Sequence, residues 1–360
     1  MNPFEFVIKP SNYISPLCYS IFRLEPFDTC SFGCIYCYAQ WYRGPHKPRP
    51  KPKWYVIKEF ERIAKRMKVK PYFRLATLSE PFQDNYEITL KLIRIAKKYK
   101  VPLIINTKSD KVTNPDVIYE LASLAAESLV LVQISVSSLK YDKVLEPFAP
   151  SARSRLSAVE TLSSMNIPTI VRVQPLIPGL EEDHYEVAEL ALRAGAQGLI
   201  GESIRLTKSL LEALYSVLGI DARFEWEPYQ LREVEGKEPL FHPKAEWREK
   251  VHRALSAIAS IYNKPYADCK ETCTFYGLKK DCCLSWIAMS APLRPTLREY
   301  LNVGLDCENY LCDLDGPLGR ALRMHIKKMI KVASDEHLLK KICPFTIEHK
   351  AVPNTYKALR

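Results

Sequence analysis

Between about residues 20 and 205, short apolar stretches alternate with longer ones in which apolar side chains recur every three or four positions. These are the signatures of buried strands and of helices with one buried face. FRLEPFDTC (22–30) reads as a strand, and KWYVIKEFERIAKRM (53–67) then sets Val56, Ile57, Phe60, Ile63, Ala64 and Met67 on one helical face. The alternation continues with strands at 71–77, 101–107, 129–136, 168–177 and 196–203, separated by helices near 86–99, 115–127, 151–165 and 182–194. Six such alternations predict an α/β fold of parallel strands with right-handed crossovers. Six units fall short of the eight that close a complete barrel, so a partial (β/α)6 barrel of TIM type is expected. Chemistry in such sheets gathers at the carboxyl ends of the strands. CSFGCIYC follows the first strand, Ser79-Glu80 the second, Thr107-Lys108-Ser109 the third and Ser135 to Ser138 the fourth.

Beyond residue 225 the periodicity changes to a helix near 245–262, a cysteine-bearing stretch and a basic helix near 317–332. Two domains are therefore expected, 1–225 and a cysteine-rich C-terminal extension, 226–360. Hydrophobic residues make up 47% and charged residues 26% of the 360 positions, the proportions of a soluble globular protein. The opening residues have no basic stretch leading into an apolar one, and no apolar run reaches the roughly 18 residues of a membrane span. A cytoplasmic protein without a membrane partner is expected. The net charge of +11 favours an anionic partner such as nucleic acid, although a lysine-rich surface also serves solubility. Eleven cysteines in a reducing compartment point to metal sites, with disulfides as the alternative in a thermophile.

CSFGCIYC places Cys30, Cys34 and Cys37 on one loop after a strand. Thiolates are the usual ligands of a cubane iron-sulfur cluster, and three of them leave one iron open. That iron can be chelated by the amino and carboxylate groups of S-adenosylmethionine (SAM), which an electron then cleaves to a 5'-deoxyadenosyl radical. A zinc knuckle or three unrelated buried thiols are the alternatives, and a zinc ribbon would favour two CxxC pairs instead.

This motif, with Tyr36 before its third cysteine, resembles that of the radical SAM superfamily. CSFGCIYCYAQ, LATLSEPFQ, NTKSD and the stretch from VSSLKYDKVLEPF to PLIPGLEED together resemble the spore photoproduct lyase-like, or DNA repair photolyase-like, group over roughly residues 20–185. The resemblance implies a 4Fe-4S cluster, SAM as cofactor and an electron donor such as ferredoxin or flavodoxin. It also implies that Ser79 and Glu80 lie where the family reads the methionine amino group, and Lys108 and Ser135 where it contacts the SAM carboxylate or ribose. Pro175-x-Ile177-x-Gly179-x-x-Glu182 resembles the pattern that packs adenine, with its first glycine replaced. Tyr36 and Tyr38 match tyrosines beside the family's cluster, as a radical relay or as stacking partners. Thr77 stands where spore photoproduct lyase carries its hydrogen-donating cysteine, which puts thymine-dimer reversal in doubt.

The run RGPHKPRPKPK (43–53) alternates cations with prolines, an extended backbone suited to tracking phosphates or to a stiff solvated linker. Cys269, Cys273, Cys282 and Cys283 open a group of seven cysteines within 75 residues. A second iron-sulfur cluster, zinc, disulfides and buried thiols all remain open for them. The reading favoured is a radical SAM enzyme acting on nucleic acid. The same chemistry on a protein or small molecule, and a non-catalytic zinc or nucleic-acid-binding protein, are the alternatives.

Overall fold

The computed structural model describes Cys18 and residues 22–221, 224–229, 239–271, 281–294, 296–297, 300–301 and 316–342. Its centre is an open, seven-stranded parallel sheet. The strands are β1 (Arg23–Leu24), β2 (Phe73–Leu75), β3 (Leu103–Thr107), β4 (Val130–Val136), β5 (Thr169–Leu176), β6 (Leu199–Ser203) and, as the last neighbour of β6, Tyr266–Asp268. Helices Tyr55–Arg66, Glu87–Lys98, Pro115–Ala126, Ala152–Ser164 and Glu181–Arg193 connect the first six strands in the order the periodicity predicts. In the first of them Val56, Phe60, Ile63 and Ala64 are buried.

A short antiparallel sheet follows β6, formed by β7 (Leu206–Thr207), β8 (Trp226–Pro228) and β9 (Leu240–Pro243). Tyr266–Asp268 is thus β10. It comes from beyond residue 225 yet pairs with β6, and the helix Ala245–Ile261 before it packs on Glu181–Arg193. The C-terminal segment therefore completes the sheet of the first.

Side chains alternate across the strands. Ile105, Val132, Ile134, Val171 and Val173 meet the helices in the main core, whereas Ile104, Leu131, Ile170 and Ile200 point to the inner face. There they are covered by Cys269, Cys282, Cys283, Leu284 and Met289, which plug one end of the partial barrel. Above this plug the same face turns polar. Arg74 donates to Asn106 Oδ1 (3.0 Å) and Gln133 Oε1 (2.8 Å), and Arg172 to Gln133 Oε1 (3.1 Å) and Gln174 Oε1 (2.7 Å). Among the described residues, no helix is long and apolar enough to cross a membrane.

Candidate active site

The carboxyl ends of the strands open onto a cavity of about 270 Å³. Cys30, Cys34 and Cys37 line it together with Tyr36, Tyr38, Ser79, Glu80, Lys108 and Ser135, so the structure gathers most of the residues that the sequence singles out. Ile177 and Gly179 are not brought there. Ile177 is buried against Leu145, Ile204 and Leu206, and its N–H donates to His184 Nε2 at 2.8 Å. Gly179 has φ +89°, and a Cβ there would come within 3.1 Å of Ile220 and Phe224. Pro175 does reach the cavity. Cys273 lies outside the described residues.

Cys30, Cys34 and Cys37 are thiols rather than disulfides and act on one another electrostatically. Among the described residues no three His, Cys, Asp or Glu side chains gather tightly enough for a single metal ion. The three thiols instead share one wall of the cavity, an arrangement that suits a larger cluster with one uncommitted corner. Burial and the Glu146 carboxylate raise the Cys34 thiol well above its ordinary value. Cys37 goes the other way: burial opposes ionisation, but His46 and Arg43 overcome it.

Several charged residues that the sequence left unassigned, or placed in a basic run suited to phosphates or to a stiff linker, build this wall. Arg43 opens the basic segment but turns inward, donating to the Leu78 carbonyl, to Thr29 Oγ1 at 2.6 Å and to Cys37 Sγ at 3.6 Å. His46 sits 3.2 Å from the Cys30 carbonyl, and contact with the Cys30 and Cys37 sulfurs pushes it up to about 10. Lys47, Arg49 and Lys51 remain exposed, with Lys47 paired to Asp28 at 3.2 Å.

The loop after β2 is shaped by two buried carboxylates. Glu25 accepts from the N–H groups of Thr77 (2.8 Å) and Leu78 (2.9 Å) and from Ser79 Oγ (3.1 Å). Glu80 accepts from the N–H groups of Phe82 (3.0 Å) and Lys108 (2.8 Å) and from Thr107 Oγ1. Burial raises the Glu80 carboxyl against these donors. Its side chain therefore clamps β2's loop to the end of β3.

Glu146 is fully buried, pairs with the equally buried Arg155 at 2.5 Å and accepts from the Tyr36 hydroxyl. Lys108 Nζ lies 3.7 Å from it and 5.9 Å from the centre of the Tyr36 ring. Burial raises the Glu146 carboxyl, but Arg155 and Lys108 outweigh it and hold the group below its ordinary range. Arg155 also donates to the Ser135 carbonyl at 2.8 Å, fixing the end of β4. On the far side Glu202 holds Arg205 (2.6 Å), Lys270 (3.2 Å) and Arg172 (3.3 Å). These cations outweigh burial and keep the Glu202 carboxyl far below its usual range.

A cysteine loop after the first strand, a half-closed parallel barrel and polar loops converging on the same mouth make up the site. Residues 24–191, a little under half of the chain, match the model of the Radical SAM superfamily. An uncharacterised protein of Methanocaldococcus jannaschii is 27% identical over 170 residues, 46% of this chain and 64% of the relative. The chain thus spans less than two thirds of that relative's length. Among solved structures, spore photoproduct lyase with dinucleoside spore photoproduct shares 15% identity and a TM-score of 0.54 over 73% of this chain and 78% of its own. A cysteine-to-serine mutant of spore photoproduct lyase gives 16% and 0.55, over 72% and 78%. These likenesses concern the fold.

Proposed function

We propose that the chain reductively cleaves SAM at a 4Fe-4S cluster held by Cys30, Cys34 and Cys37, yielding a 5'-deoxyadenosyl radical that takes hydrogen from a nucleic-acid substrate. The observation that carries this reading is the opening of all three thiols onto one cavity rimmed by Ser79, Glu80, Lys108 and Ser135. In it, Glu25 and Glu80 hold the loop that faces the methionine end of SAM. Lys108 supplies a cation to the SAM carboxylate, partly neutralised by Glu146. Arg43 and His46 stabilise thiolate at Cys37.

The nucleic-acid reading draws on the fold shared with spore photoproduct lyase and on the cavity wall. Trp41, Tyr38 and Tyr229 offer stacking faces there, and Arg43, Arg205 and Lys270 offer cations. The two tyrosines proposed for radical transfer differ in setting. The Tyr36 hydroxyl is committed to buried Glu146, whereas Tyr38 is 48% exposed and donates to the Thr77 carbonyl at 2.9 Å. Tyr38 is the group able to return a hydrogen atom to a substrate radical beside the position where the related lyase has its cysteine.

Production of 5'-deoxyadenosine from SAM under dithionite tests the reading. Cys30→Ala, Cys34→Ala and Cys37→Ala should each abolish it, since each removes one of three ligands. Full product from any of these variants ends the proposal. A nucleic-acid substrate requires salt-sensitive DNA or RNA binding by the wild type; its absence leaves SAM cleavage standing and redirects the substrate to a protein or small molecule.

A further inference from the structure

Four cations line the cavity, Arg43, Lys108, Arg205 and Lys270, against two carboxylates, Glu80 and Glu202. Arg43 is turned to Cys37 and Lys108 to Glu146, which leaves Arg205 and Lys270 on the wall built by the ends of β6, β8 and β10. Both share Glu202, at 2.6 and 3.2 Å, and Glu202 is also engaged by Arg172. Behind this wall Glu271 holds Arg205 (3.1 Å) and Arg248 (3.2 Å), and Arg248 reaches Glu227 (2.7 Å). Burial lowers His242 and His252, so both stay neutral near pH 7. Asp268, Cys269 and Asp281 are buried and do not line the cavity.

Lys270 is held in place at a cost. It follows β10 with φ +61°, a left-handed backbone that a side chain of this length rarely takes. The turn sets Glu271 against Arg205 and puts Lys270 on the cavity wall, its side chain 29% exposed. An ammonium has three donors, and Glu202 takes one of them at 3.2 Å. The Arg205 guanidinium lies 4.7 Å from the centre of the Tyr229 ring, so the same corner presents an aromatic face. Two adjacent cations beside such a face match a nucleotide: phosphate oxygens take charge-assisted hydrogen bonds, and a base stacks on the ring. We propose that Lys270 and Arg205 seat one phosphate of the nucleic-acid substrate, with Tyr229 as the stacking face for the base next to it. The seat rests on the nucleic-acid reading above and adds where the strand is held. Of the charges around the Tyr38 hydroxyl, Lys270 acts on it most strongly. A phosphate on Lys270 therefore keeps its nucleotide beside the group assigned to return hydrogen.

Dinucleoside monophosphates of the four DNA bases carry one phosphodiester, and their methylphosphonate counterparts lack its charge. The reconstituted wild type should bind the charged forms roughly tenfold or more tighter, the worth of one charge-assisted hydrogen bond. In Lys270→Met the two forms should bind alike, and Lys270→Arg should restore the preference. Equal affinities in the wild type, or a preference that survives in Lys270→Met, overturn the seat. The wild type gives a second readout that needs no variant. A dinucleotide bearing 4-thiothymine, irradiated in the near ultraviolet, should crosslink to the peptide that contains Tyr229; crosslinks confined to other peptides overturn the proposal even where Lys270→Met does not fold. If neither dinucleotides nor longer strands bind, the seat falls together with the nucleic-acid reading. Binding without any methylphosphonate penalty overturns the seat alone, and 5'-deoxyadenosine formation is untouched by either result.

Discussion

Glu146 shows how a single residue can matter at the site without touching a reacting atom. It is one acceptor shared by Arg155, Lys108 and Tyr36, with all of its own surface buried. Replacing it by Gln keeps the shape but leaves Arg155 without its charge partner, an omission that costs about 3–5 kcal/mol in comparable buried pairs. Tyr36→Phe removes only a hydrogen bond to a charged group and should cost roughly 1.5–3 kcal/mol. Denaturant midpoints of the two variants check the order. Because the folded-state Glu146 carboxyl lies below its ordinary value of 4.5, its contribution is complete above that pH and is lost as pH falls through the folded value. The gap between wild type and Glu146→Gln should therefore narrow on acidification below about 4.5; a gap that widens there would contradict the assignment. Glu146 was not legible in EPFAPSARSR, because a lone acid is usually solvated and only the fold brings Arg155 to it. Cys30, Cys34 and Cys37 were legible because their chemistry lies in their spacing.

The strands β3 to β6 could be read directly, since parallel strands buried on both faces appear as apolar runs. Their interruptions carried more than the runs did. Arg74, Gln133, Arg172 and Glu202 each break an apolar strand, and all four prove to lie on the inner face, linked by hydrogen bonds or ion pairs. A charge inside an otherwise buried strand was the available signal for them. β10 had no such signal, being three residues long, too short for periodicity, and paired with β6 through contacts far apart in the chain. What admits it is Gly201 on β6, where an ideal Cβ would collide with the Tyr266 hydroxyl and lie 3.2 Å from the His252 ring. Those two side chains are hydrogen-bonded to each other in the gap. Gly201→Ala should push β10 off the sheet edge and cost about 1–3 kcal/mol, the range for overpacking a filled interior. Gly219→Ala is the comparison, since a Cβ there meets nothing within 4 Å and its cost is that of a left-handed φ alone. Equal midpoints for the two variants would mean that β10 is held by something other than this fit.

In a molecule of net charge +11, the cations around the cluster loop fall into two groups with different work. Arg43, His46, Lys108, Arg205 and Lys270 face the cavity and are tied to sulfurs or carboxylates there. Lys47, Arg49 and Lys51 stay outside, on the strip that the Phe27–Pro52 bridge and the Lys53 N–H to the Pro26 carbonyl (2.8 Å) hold beside the cluster loop. A second cavity of about 720 Å³, lined by His46, Lys47, Lys111 and Phe148 among others, opens along the same strip. The fixed backbone removes the entropy that a floppy basic arm would lose on binding, and on the proposed nucleic-acid reading these cations follow a phosphate backbone into the mouth of the barrel. Replacing Lys47, Arg49 and Lys51 with Gln should then weaken nucleic-acid binding for all sequences alike. It should also flatten the plot of log affinity against log salt by about 0.7 per lost contact on single strands and about 0.9 on duplexes. Iron content and SAM cleavage without substrate should not change, because none of the three lines the inner cavity. A slope equal to that of the wild type would make the strip a solvated brace and leave the anionic-substrate reading to the shared fold and the cavity wall.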